Sequence, residues 1–325
     1  ERIVILKPCC MGDVLMATPT IAALRKALPG AHIALAVGAY SRPAVARNPR
    51  INELIESPSG HDVSSHRRLA RQLGSGKFGA ALVLDRSPLL NLVPRIAGIP
   101  IRAGLDSNNR GLALTHPVPC PPDVARHEVE WYLDVARAIG INALSDMAYL
   151  EFHPTDEERK EAGRILSEVG EESENGFVAI HVGGGSNPGM KLPSKRWEPQ
   201  RWARIADWIA ETYEPNILIL GGPGEEDRAA AGLMLGAMHS ATRPYVSDLV
   251  GKLSWGVMSS VLEKCQMFLG HDTGAMHLAT AVCTPVVAVF GPTDPARYRP
   301  WDLSGRSVVV ASPPSSSDAE SLRKN

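Results

Sequence analysis

The stretch Phe268-Leu-Gly-His-Asp-Thr-Gly-Ala-Met-His-Leu-Ala-Thr-Ala281 decides the fold prediction. A short apolar run stops at Gly270, a cluster of small and polar residues follows, and apolar residues resume at helical spacing over 275–282. This order predicts a strand, a tight turn and a helix. The first N–H groups of a helix lack partners within it, and the helix dipole places about half a positive charge there. The stretch is therefore typical of a site for a phosphate.

Four polar side chains occupy this turn and the first part of the predicted helix: His271, Asp272, Thr273 and His277. One interpretation is that Asp272 caps the helix by accepting hydrogen bonds from N–H groups two or three residues on. A cap needs only one such side chain. We therefore interpret Asp272, Thr273, Gly274 and His277 as a binding turn. The sequence leaves open whether His277 orients Asp272 or simply packs.

Length and composition restrict the class of protein. A chain of 325 residues is long enough for two domains with separate cores. The formal net charge of −1 lacks the electrostatic footprint of a nucleic-acid-binding protein. No apolar run approaches the roughly 20 residues that span a bilayer, and the first residues lack a signal-peptide layout. We expect a soluble protein, at most peripheral to a membrane.

Three of the five cysteines are expected to be buried, reduced thiols. The five form no C-x-x-C pair, and three of them stand in apolar surroundings that predict buried thiols. This use of cysteine predicts a cytoplasmic protein.

Strand and helix patterns alternate from the start of the chain. Apolar runs at 3–7 and 32–37 flank a helical pattern over 14–28, which predicts a right-handed βαβ unit. A charged helix and a turn-rich connection at 154–175 then interrupt the alternation, which restarts at Phe177.

This order predicts an α/β protein of two Rossmann-like, doubly wound domains that face each other across a cleft. We place the first domain at 1–153, a linker at 154–175 and the second domain at 176–311. Residues 312–325 are rich in Ser and are predicted to be a disordered tail. Ligands of open α/β sheets bind at the carboxyl ends of the strands, so the cleft is the expected site.

Asp13 is the candidate base in the first domain. It follows Gly12 at the end of the first predicted strand, a position from which a carboxylate can accept the proton of a substrate hydroxyl. Asp13 is equally well placed to cap the helix that begins near Val14. Capping N–H bonds favour the ionised form of a carboxylate and weaken it as a base. The two roles remain open at this point.

Glycine-rich loops follow two predicted strands of the second domain, one at 183–185 and the other at 221–224. Gly183-Gly184-Gly185 leads to Lys195-Arg196, a combination suited to a phosphate. The same loop reads G-x-G-x-x-P, with Pro188 where a dinucleotide fingerprint requires Gly or Ala, so it is weak evidence for NAD. A surface loop with solvated charges is the other interpretation.

Motifs that bind metals are absent from the sequence. It contains no H-E-x-x-H, no paired cysteine motif and no D-x-D pair. We therefore predict no metal and no cofactor. A diphosphate would then be stabilised by helix N-termini, lysine and arginine.

The chain resembles the lipopolysaccharide heptosyltransferases of glycosyltransferase family nine. The resemblance covers Ile3 to Trp301 and combines several motifs. They are Met11-Gly12-Asp13-Val14, Lys195-Arg196-Trp197, Gly221-Gly222-Pro223 with Glu225, Asp272-Thr273-Gly274-Ala275-Met276-His277 and Phe290-Gly291-Pro292-Thr293-Asp294-Pro295.

The resemblance implies a GT-B fold and a metal-independent, inverting transfer of heptose from ADP-heptose to the lipopolysaccharide inner core. Asp13 resembles the base that takes the proton of the acceptor hydroxyl, and Lys195 the lysine that neutralises the leaving diphosphate. Asp272, Thr273 and Gly274 resemble the donor-binding turn. Glu225 resembles the acid that binds the ribose.

The acceptor implied by the resemblance is a lipid-linked saccharide, reached at the inner face of the inner membrane by a cytoplasmic or peripheral enzyme. We predict that Gly12, Arg67 and Arg71 bind it, because the inner core carries carboxylates and phosphates. Arg67 and Arg71 are four residues apart, opposite Leu69 and Leu73, so a solvated helix face is the alternative.

Other functions stay open on the sequence alone. The first alternative is a GT-B enzyme that uses another nucleotide sugar, or an epimerase. The second is a Rossmann-type dinucleotide-dependent oxidoreductase, suggested by the glycines at 183 and 185.

Overall fold

The chain folds into two compact units, Glu1–Glu151 and Phe152–Asn325, each held together by its own internal contacts. A computed structural model describes residues 1–58, 62–145, 148–170, 175–187 and 190–311. The predicted domain limits at 153 and 176 stay a prediction, and the tail predicted at 312–325 lies outside the described residues. The helix expected in the linker packs within the second unit.

The first unit contains a six-stranded parallel sheet in the order β3-β2-β1-β4-β5-β6. Its strands are β1 (Arg2–Leu6), β2 (His32–Val37), β3 (Glu53–Glu56), β4 (Ala80–Val83), β5 (Ile101–Asp106) and β6 (His116–Pro119). Its α-helices are α1 (Met11–Met16), α2 (Thr18–Ala27), α3 (Val63–Ser75), α4 (Pro88–Ile96) and α5 (Glu128–Arg137). The inner strands β1 and β4 are buried apolar runs, as expected for a parallel sheet with both faces covered.

One predicted helix of the first unit is two helices. The pattern over 14–28 predicts a single element, but α1 begins at Met11 and α2 follows it after Ala17. Pro19 has no N–H to give to the Leu15 carbonyl, which accepts the Thr18 hydroxyl at 2.7 Å instead. The proline therefore restarts the helix.

The second unit repeats the architecture with the strand order β11-β10-β7-β12-β13-β14. Its strands are β7 (Phe177–His181), β10 (Asn216–Leu220), β11 (Val246–Asp248), β12 (Cys265–His271), β13 (Val286–Phe290) and β14 (Val308–Ala311), and Ser186–Asn187 (β8) pairs with Met190–Lys191 (β9) as a small hairpin. Its α-helices are α6 (Asp156–Gly170), α7 (Pro199–Tyr213), α8 (Glu225–Ala237), α9 (Trp255–Leu262), α10 (Gly274–Ala281) and α11 (Pro295–Tyr298).

The strand, turn and helix predicted for the opening stretch are confirmed as β12 and α10. The edge strands β3, β6, β11 and β14 were not expected from the sequence. They are short and partly exposed, and β6 contains two prolines. In β3, β6 and β11 polar residues or prolines interrupt the apolar pattern, so these strands carry little sequence signal. The run Val308–Ala311 of β14 is apolar but only four residues long.

The expectation of three buried thiols is wrong. Cys120 and Cys265 are buried and free, but Cys283 is exposed, and Cys9 and Cys10 are joined by a disulfide. Cys283 lies in a turn after α10, with a positive φ of 63°. Burial raises the pKa of the Cys265 thiol to about 12.

Candidate functional site

The predicted binding turn lies at the carboxyl edge of the second sheet. There β7 stands between β10 and β12, so the loops after these three strands are neighbours. The loop after β7 contains Gly183 and Gly184, the loop after β10 contains Gly222, and the turn after β12 contains Asp272 and Thr273. The sheet therefore brings together segments that are far apart in the sequence.

A buried imidazole at the end of β12 holds two parts of the connection that follows β7. His271 Nε2 accepts the backbone N–H of Trp197 at 2.7 Å and the indole N–H of Trp202 at 3.3 Å. His271 Nδ1 is 3.3 Å from the carbonyl oxygen of Gly183, to which it donates. The ring therefore holds the loop after β7 and the segment that contains Lys195 against the end of β12.

His271 fills this role only while it is neutral. Burial, reinforced by the nearby His181, lowers the pKa of His271 to about 4. A second proton on Nε2 would point at the N–H of Trp197, where two donors would face each other. Sequence reasoning counted His271 among the polar groups of the turn but did not predict that it holds other segments.

Lys195 and Asp272 form an ion pair at the same edge. Lys195 Nζ lies 2.7 Å from Asp272 Oδ2 and 3.3 Å from the Asp272 carbonyl oxygen. Both side chains are largely buried, with 13 % and 7 % of their areas exposed. The structure thus joins two of the predicted site residues, which stand 77 positions apart in the chain.

Asp272 does not cap α10, so the capping interpretation of this residue is wrong. Thr273 occupies the N-cap position of α10, and no side-chain hydrogen bond caps this helix. The Asp272 carboxylate is directed to Lys195 instead, and Asp272 Oδ1 lies 3.9 Å from His277 Nε2. The start of α10, with Gly274 as its first residue, therefore offers backbone N–H groups that no side chain caps.

One carboxylate connects the two glycine-rich loops. Asp227, the third residue of α8, accepts the Gly184 N–H at 3.0 Å through Oδ1 and the Gly222 N–H at 2.8 Å through Oδ2. A Cβ at Gly183 would collide with this carboxylate, which explains glycine there. Gly184 has a positive φ of 102°, a conformation that other residues rarely adopt.

The cation at Arg196 is also paired. Its Nε donates to the Gly184 carbonyl oxygen at 2.6 Å, and its Nη2 donates to Glu226. Glu226 also accepts the Ser186 hydroxyl at 2.8 Å and Lys191 Nζ at 3.3 Å. The bonds from Ser186, Arg196 and Lys191 lower the pKa of Glu226 to about 2. Glu226 thus ties the β8–β9 hairpin to the site.

Glu225 lies at the start of α8 with an exposed side chain. The contacts to the glycine loops come from the next two residues, Glu226 and Asp227, which sequence reasoning missed. The run Glu225-Glu226-Asp227 was the available signal, since acids are enriched in the first turn of a helix. The ribose-binding role of Glu225 stays a prediction.

The candidate base of the first unit stands in the first turn of α1. Asp13 is not the cap expected ahead of Val14, because Cys10 is the N-cap residue of α1 and Asp13 is the third residue of the helix. Its Oδ2 accepts the N–H of Cys10 at 3.2 Å. Asp13 Oδ1 accepts the Tyr132 hydroxyl at 3.4 Å and lies 3.9 Å from Lys7 Nζ. About a third of the side chain, 30 %, remains exposed. Both carboxylate oxygens therefore have a hydrogen-bond donor, in a side chain that is partly exposed.

Lys7 joins two acids at the carboxyl edge of the first sheet. It directly follows β1, and its Nζ lies 3.5 Å from Asp85 Oδ2 in addition to its contact with Asp13. Burial opposes the charged form of Lys7, but the nearby carboxylates outweigh it and the pKa of Lys7 is raised. The lysine therefore stays charged beside Asp13.

The predicted acceptor residues of the first unit lie in two places. Gly12 is buried in α1, next to Asp13. Arg67 and Arg71 are on the exposed face of α3, whose buried face carries Leu69 and Leu73. Their acceptor-binding role stays a prediction.

The comparison with protein families identifies the class of enzyme. Residues 66–323 match the model of glycosyltransferase family 9 (heptosyltransferase). The chain belongs to this family. It is a glycosyltransferase, and the oxidoreductase interpretation of the glycines at 183 and 185 is wrong.

Similar proteins of this family cover most of the chain. Lipopolysaccharide heptosyltransferase 2 of Salmonella typhimurium is 28 % identical over 95 % of this chain and 87 % of its own length. A family 9 glycosyltransferase from Veillonella parvula has a similar fold, with a TM-score of 0.81, 23 % identity and coverage of 100 % and 88 % of the two chains. The E. coli ADP-heptose lps heptosyltransferase II has a TM-score of 0.75, 24 % identity and coverage of 95 % and 90 %. The predicted GT-B fold class, with its two Rossmann-like units, is confirmed.

Protonation of His271 is expected to destabilise the protein in acid. Above pH 6.5 the residue is neutral in the folded and unfolded states. Between pH 6.5 and 4 the unfolded state binds a proton that the folded state excludes, so stability falls, by about 3 kcal/mol for the shift to about 4. Urea unfolding of wild type and of His271→Asn, at pH 7 and between pH 6.5 and 4, measures this loss of stability.

The His271→Asn variant should lose less stability between these pH values than wild type does. The remaining loss includes His181, whose pKa burial also lowers. His239→Asn, at an exposed position of the same unit, is the substitution control. Equal losses in wild type and His271→Asn would contradict the neutral role of this ring.

Asp227→Asn is expected to destabilise the second unit by about 1–3 kcal/mol, because an amide has one acceptor oxygen where two N–H groups need one each. The amide nitrogen would face the N–H of Gly184 or Gly222. Urea unfolding measures the loss, with Asp156→Asn, 86 % exposed, as the control. An Asp227→Asn protein as stable as its control would refute the bridging role.

Proposed function

We propose that this protein transfers heptose from ADP-heptose to a saccharide acceptor of the lipopolysaccharide inner core, with inversion and without a metal. The observation that carries the proposal is the Lys195–Asp272 ion pair beside the uncapped start of α10. The names of the relatives support the donor and the acceptor: one is a lipopolysaccharide heptosyltransferase, and another is named for ADP-heptose.

The donor diphosphate is proposed to bind at the start of α10. The N–H groups of Thr273 and Gly274 lie at the positive end of the helix dipole. Lys195 has three ammonium hydrogens, of which the Asp272 carboxylate and carbonyl take two. The third hydrogen is available for a phosphate oxygen. This arrangement supplies positive charge where the diphosphate leaves.

Asp272 sets the position of this lysine and is proposed to face the heptose. Its carboxylate takes part of the Lys195 charge in the absence of donor, which lowers the cost of burying the ammonium. Gly183, Gly184 and Arg196 are proposed to line the phosphates, and His277 to hold Asp272 from 3.9 Å. Glu225 is proposed to accept hydrogen bonds from the ribose hydroxyls.

Asp13 is proposed to act as the general base. Its Oδ1 takes the proton of the acceptor hydroxyl as that oxygen attacks the anomeric carbon of the heptose. The bond from this carbon to the diphosphate breaks, and ADP leaves with the electron pair. One displacement at the carbon inverts its configuration. Lys7 and Tyr132 hold the carboxylate in place.

The place of action is part of the proposal. Within the described part of the chain, no helix is long and apolar enough to cross a bilayer. We place the enzyme in the cytoplasm, at the inner face of the inner membrane, because a lipid-linked acceptor would be presented there.

The metal-independent chemistry is open to a direct test. Within the described ranges, no three His, Cys, Asp or Glu side chains are grouped as metal ligands. We expect turnover to persist when a chelator such as EDTA is present. Loss of activity with EDTA and its recovery with a divalent ion would contradict this part.

The sequence leaves two alternatives to this proposal: an enzyme that uses another nucleotide sugar, and an epimerase. Incubation with ADP-heptose alone separates an epimerase, since it changes the donor without an acceptor. A panel of ADP-, UDP- and GDP-sugars in a thermal-shift assay identifies the preferred donor, because a ligand raises the melting temperature according to its affinity.

Asp13→Asn is expected to lower kcat by about 10²–10⁴-fold, since the amide cannot take the proton, and to leave donor affinity unchanged. Transfer to an inner-core acceptor measures kcat, and calorimetry with ADP-heptose in the absence of acceptor measures donor affinity. Asp85→Asn, which removes the other carboxylate beside Lys7, should keep most of the turnover. Near wild-type transfer by Asp13→Asn would disprove the base assignment.

Asp272→Ala is expected to weaken ADP-heptose binding by about tenfold or more, because Lys195 loses the partner that positions it. Calorimetry measures the affinity, with Asp156→Ala as the control at an exposed position. Donor affinity equal to that of the control would show that Asp272 has no part in the donor site.

A further inference from the structure

A basic segment in the first unit stands out from a nearly neutral chain. Residues 63–105 contain seven Lys and Arg residues and a single acid, Asp85. Arg86 is paired with Glu128, and Arg102 donates to backbone carbonyls. The other five are exposed and form no ion pair with the described residues: Arg67, Arg68, Arg71, Lys77 and Arg95.

The helices of this segment share one face of the sheet. Leu69 and Leu73 of α3 pack in the same core cluster as Leu90 and Val93 of α4. The two helices also pack against each other. Their outward sides therefore belong to a continuous surface, with the arginines of α3 on one side.

The outward side of α4 is apolar. Leu89, Leu92 and Ile96 follow one another at helical spacing, opposite the buried stripe of the same helix. Leu92 is 41 % exposed and Ile96 is 61 % exposed. An amphipathic helix on a sheet normally turns polar side chains outward, so this second apolar stripe needs a reason.

A loop adds the most exposed of these apolar groups. Leu114 packs in the cluster beneath α4, which places the loop after β5 on the same face of the sheet. Leu112, two residues earlier, is 92 % exposed. Arg110 is exposed beside it, and the Asp106 carboxylate is occupied by the N–H of Gly111 at 2.9 Å.

We propose that these residues form a docking surface for an anionic phospholipid bilayer. The docking surface consists of the apolar Leu89, Leu92, Ile96 and Leu112 with the cationic Arg68, Arg95 and Arg110. The apolar groups enter the boundary between head groups and acyl chains, and the arginines bind lipid phosphates.

Both halves of the docking surface are needed to select this partner. An apolar stripe on its own fits any hydrophobic partner, and a set of arginines on its own fits any polyanion. Nucleic acid offers phosphates but gives an apolar stripe nothing to enter. An anionic bilayer presents phosphates above hydrocarbon over a wide plane, which matches arginines flanking an exposed stripe.

Vesicle sedimentation tests the proposal without donor or acceptor, so its outcome does not depend on the proposed heptose transfer. We expect the full chain to bind vesicles of phosphatidylethanolamine and phosphatidylglycerol more tightly than vesicles of phosphatidylcholine alone. Added salt should weaken the binding, because it screens the arginines. Failure to bind anionic vesicles, or equal binding to both kinds, would overturn the proposal.

Two sets of variants locate the contact. Ile96→Ser with Leu112→Ser should lower anionic-vesicle affinity by about tenfold per residue, from the apolar area lost. Arg95→Gln with Arg110→Gln should lower it and reduce its salt dependence. Leu233→Ser, at a 56 % exposed leucine of the second unit, is the matched control. Variants that bind like this control would overturn the proposal.

A gain-of-signal measurement covers the case in which a double variant does not fold. Tryptophan fluorescence of Leu112→Trp should be quenched by anionic vesicles whose acyl chains carry bromine. The matched variant Leu233→Trp should not be quenched. Equal quenching of the two variants, or no quenching of Leu112→Trp, would place the bilayer away from the docking surface.

Discussion

The ring of His271 accepts the Trp197 N–H, accepts the Trp202 indole N–H and donates to Gly183. These bonds join the loop after β7 to the segment that carries Lys195, at the end of the strand that leads to Asp272. The ring must be neutral to accept from Trp197, and burial keeps it neutral. The arrangement of the loops at the carboxyl edge of the second sheet therefore depends on His271 remaining neutral.

Each unit places a lysine among carboxylates at the carboxyl edge of its sheet. Lys195 contacts Asp272 in the second unit, and Lys7 contacts Asp13 and Asp85 in the first. An unpaired buried ammonium would destabilise either unit, whereas a paired one is retained at low cost. In the second unit the pair leaves one ammonium hydrogen of Lys195 for the proposed phosphate contact. In the first unit it holds an acid in place as a proposed base.

The sequence predicted which positions would be polar at the binding edge, but it did not predict every role. The sequence predicts Asp13 as either a base or the cap of a helix near Val14, whereas in the structure Asp13 is the third residue of α1 and its Oδ2 accepts the N–H of the cap residue Cys10. The sequence favours Glu225 as the functional acid of α8, yet Glu226 and Asp227 make the contacts to the loops. Each residue advances about 100° around the helix axis, so the exact start of the helix decides which of three successive acids faces a loop. The sequence pattern does not fix that start to within one residue.

By itself, the sequence determined the alternation of strands and helices, the placement of glycines and acids directly after strands, and the family. Periodicity and turn chemistry act over a few residues, so they can be read locally. The tertiary structure alone decided the partners. Lys195 and Asp272 are 77 positions apart, His271 and Trp197 are 74 apart, and Gly184 and Asp227 are 43 apart. They meet because β7 lies between β10 and β12, an order set by packing of whole strands and not by any short stretch of sequence.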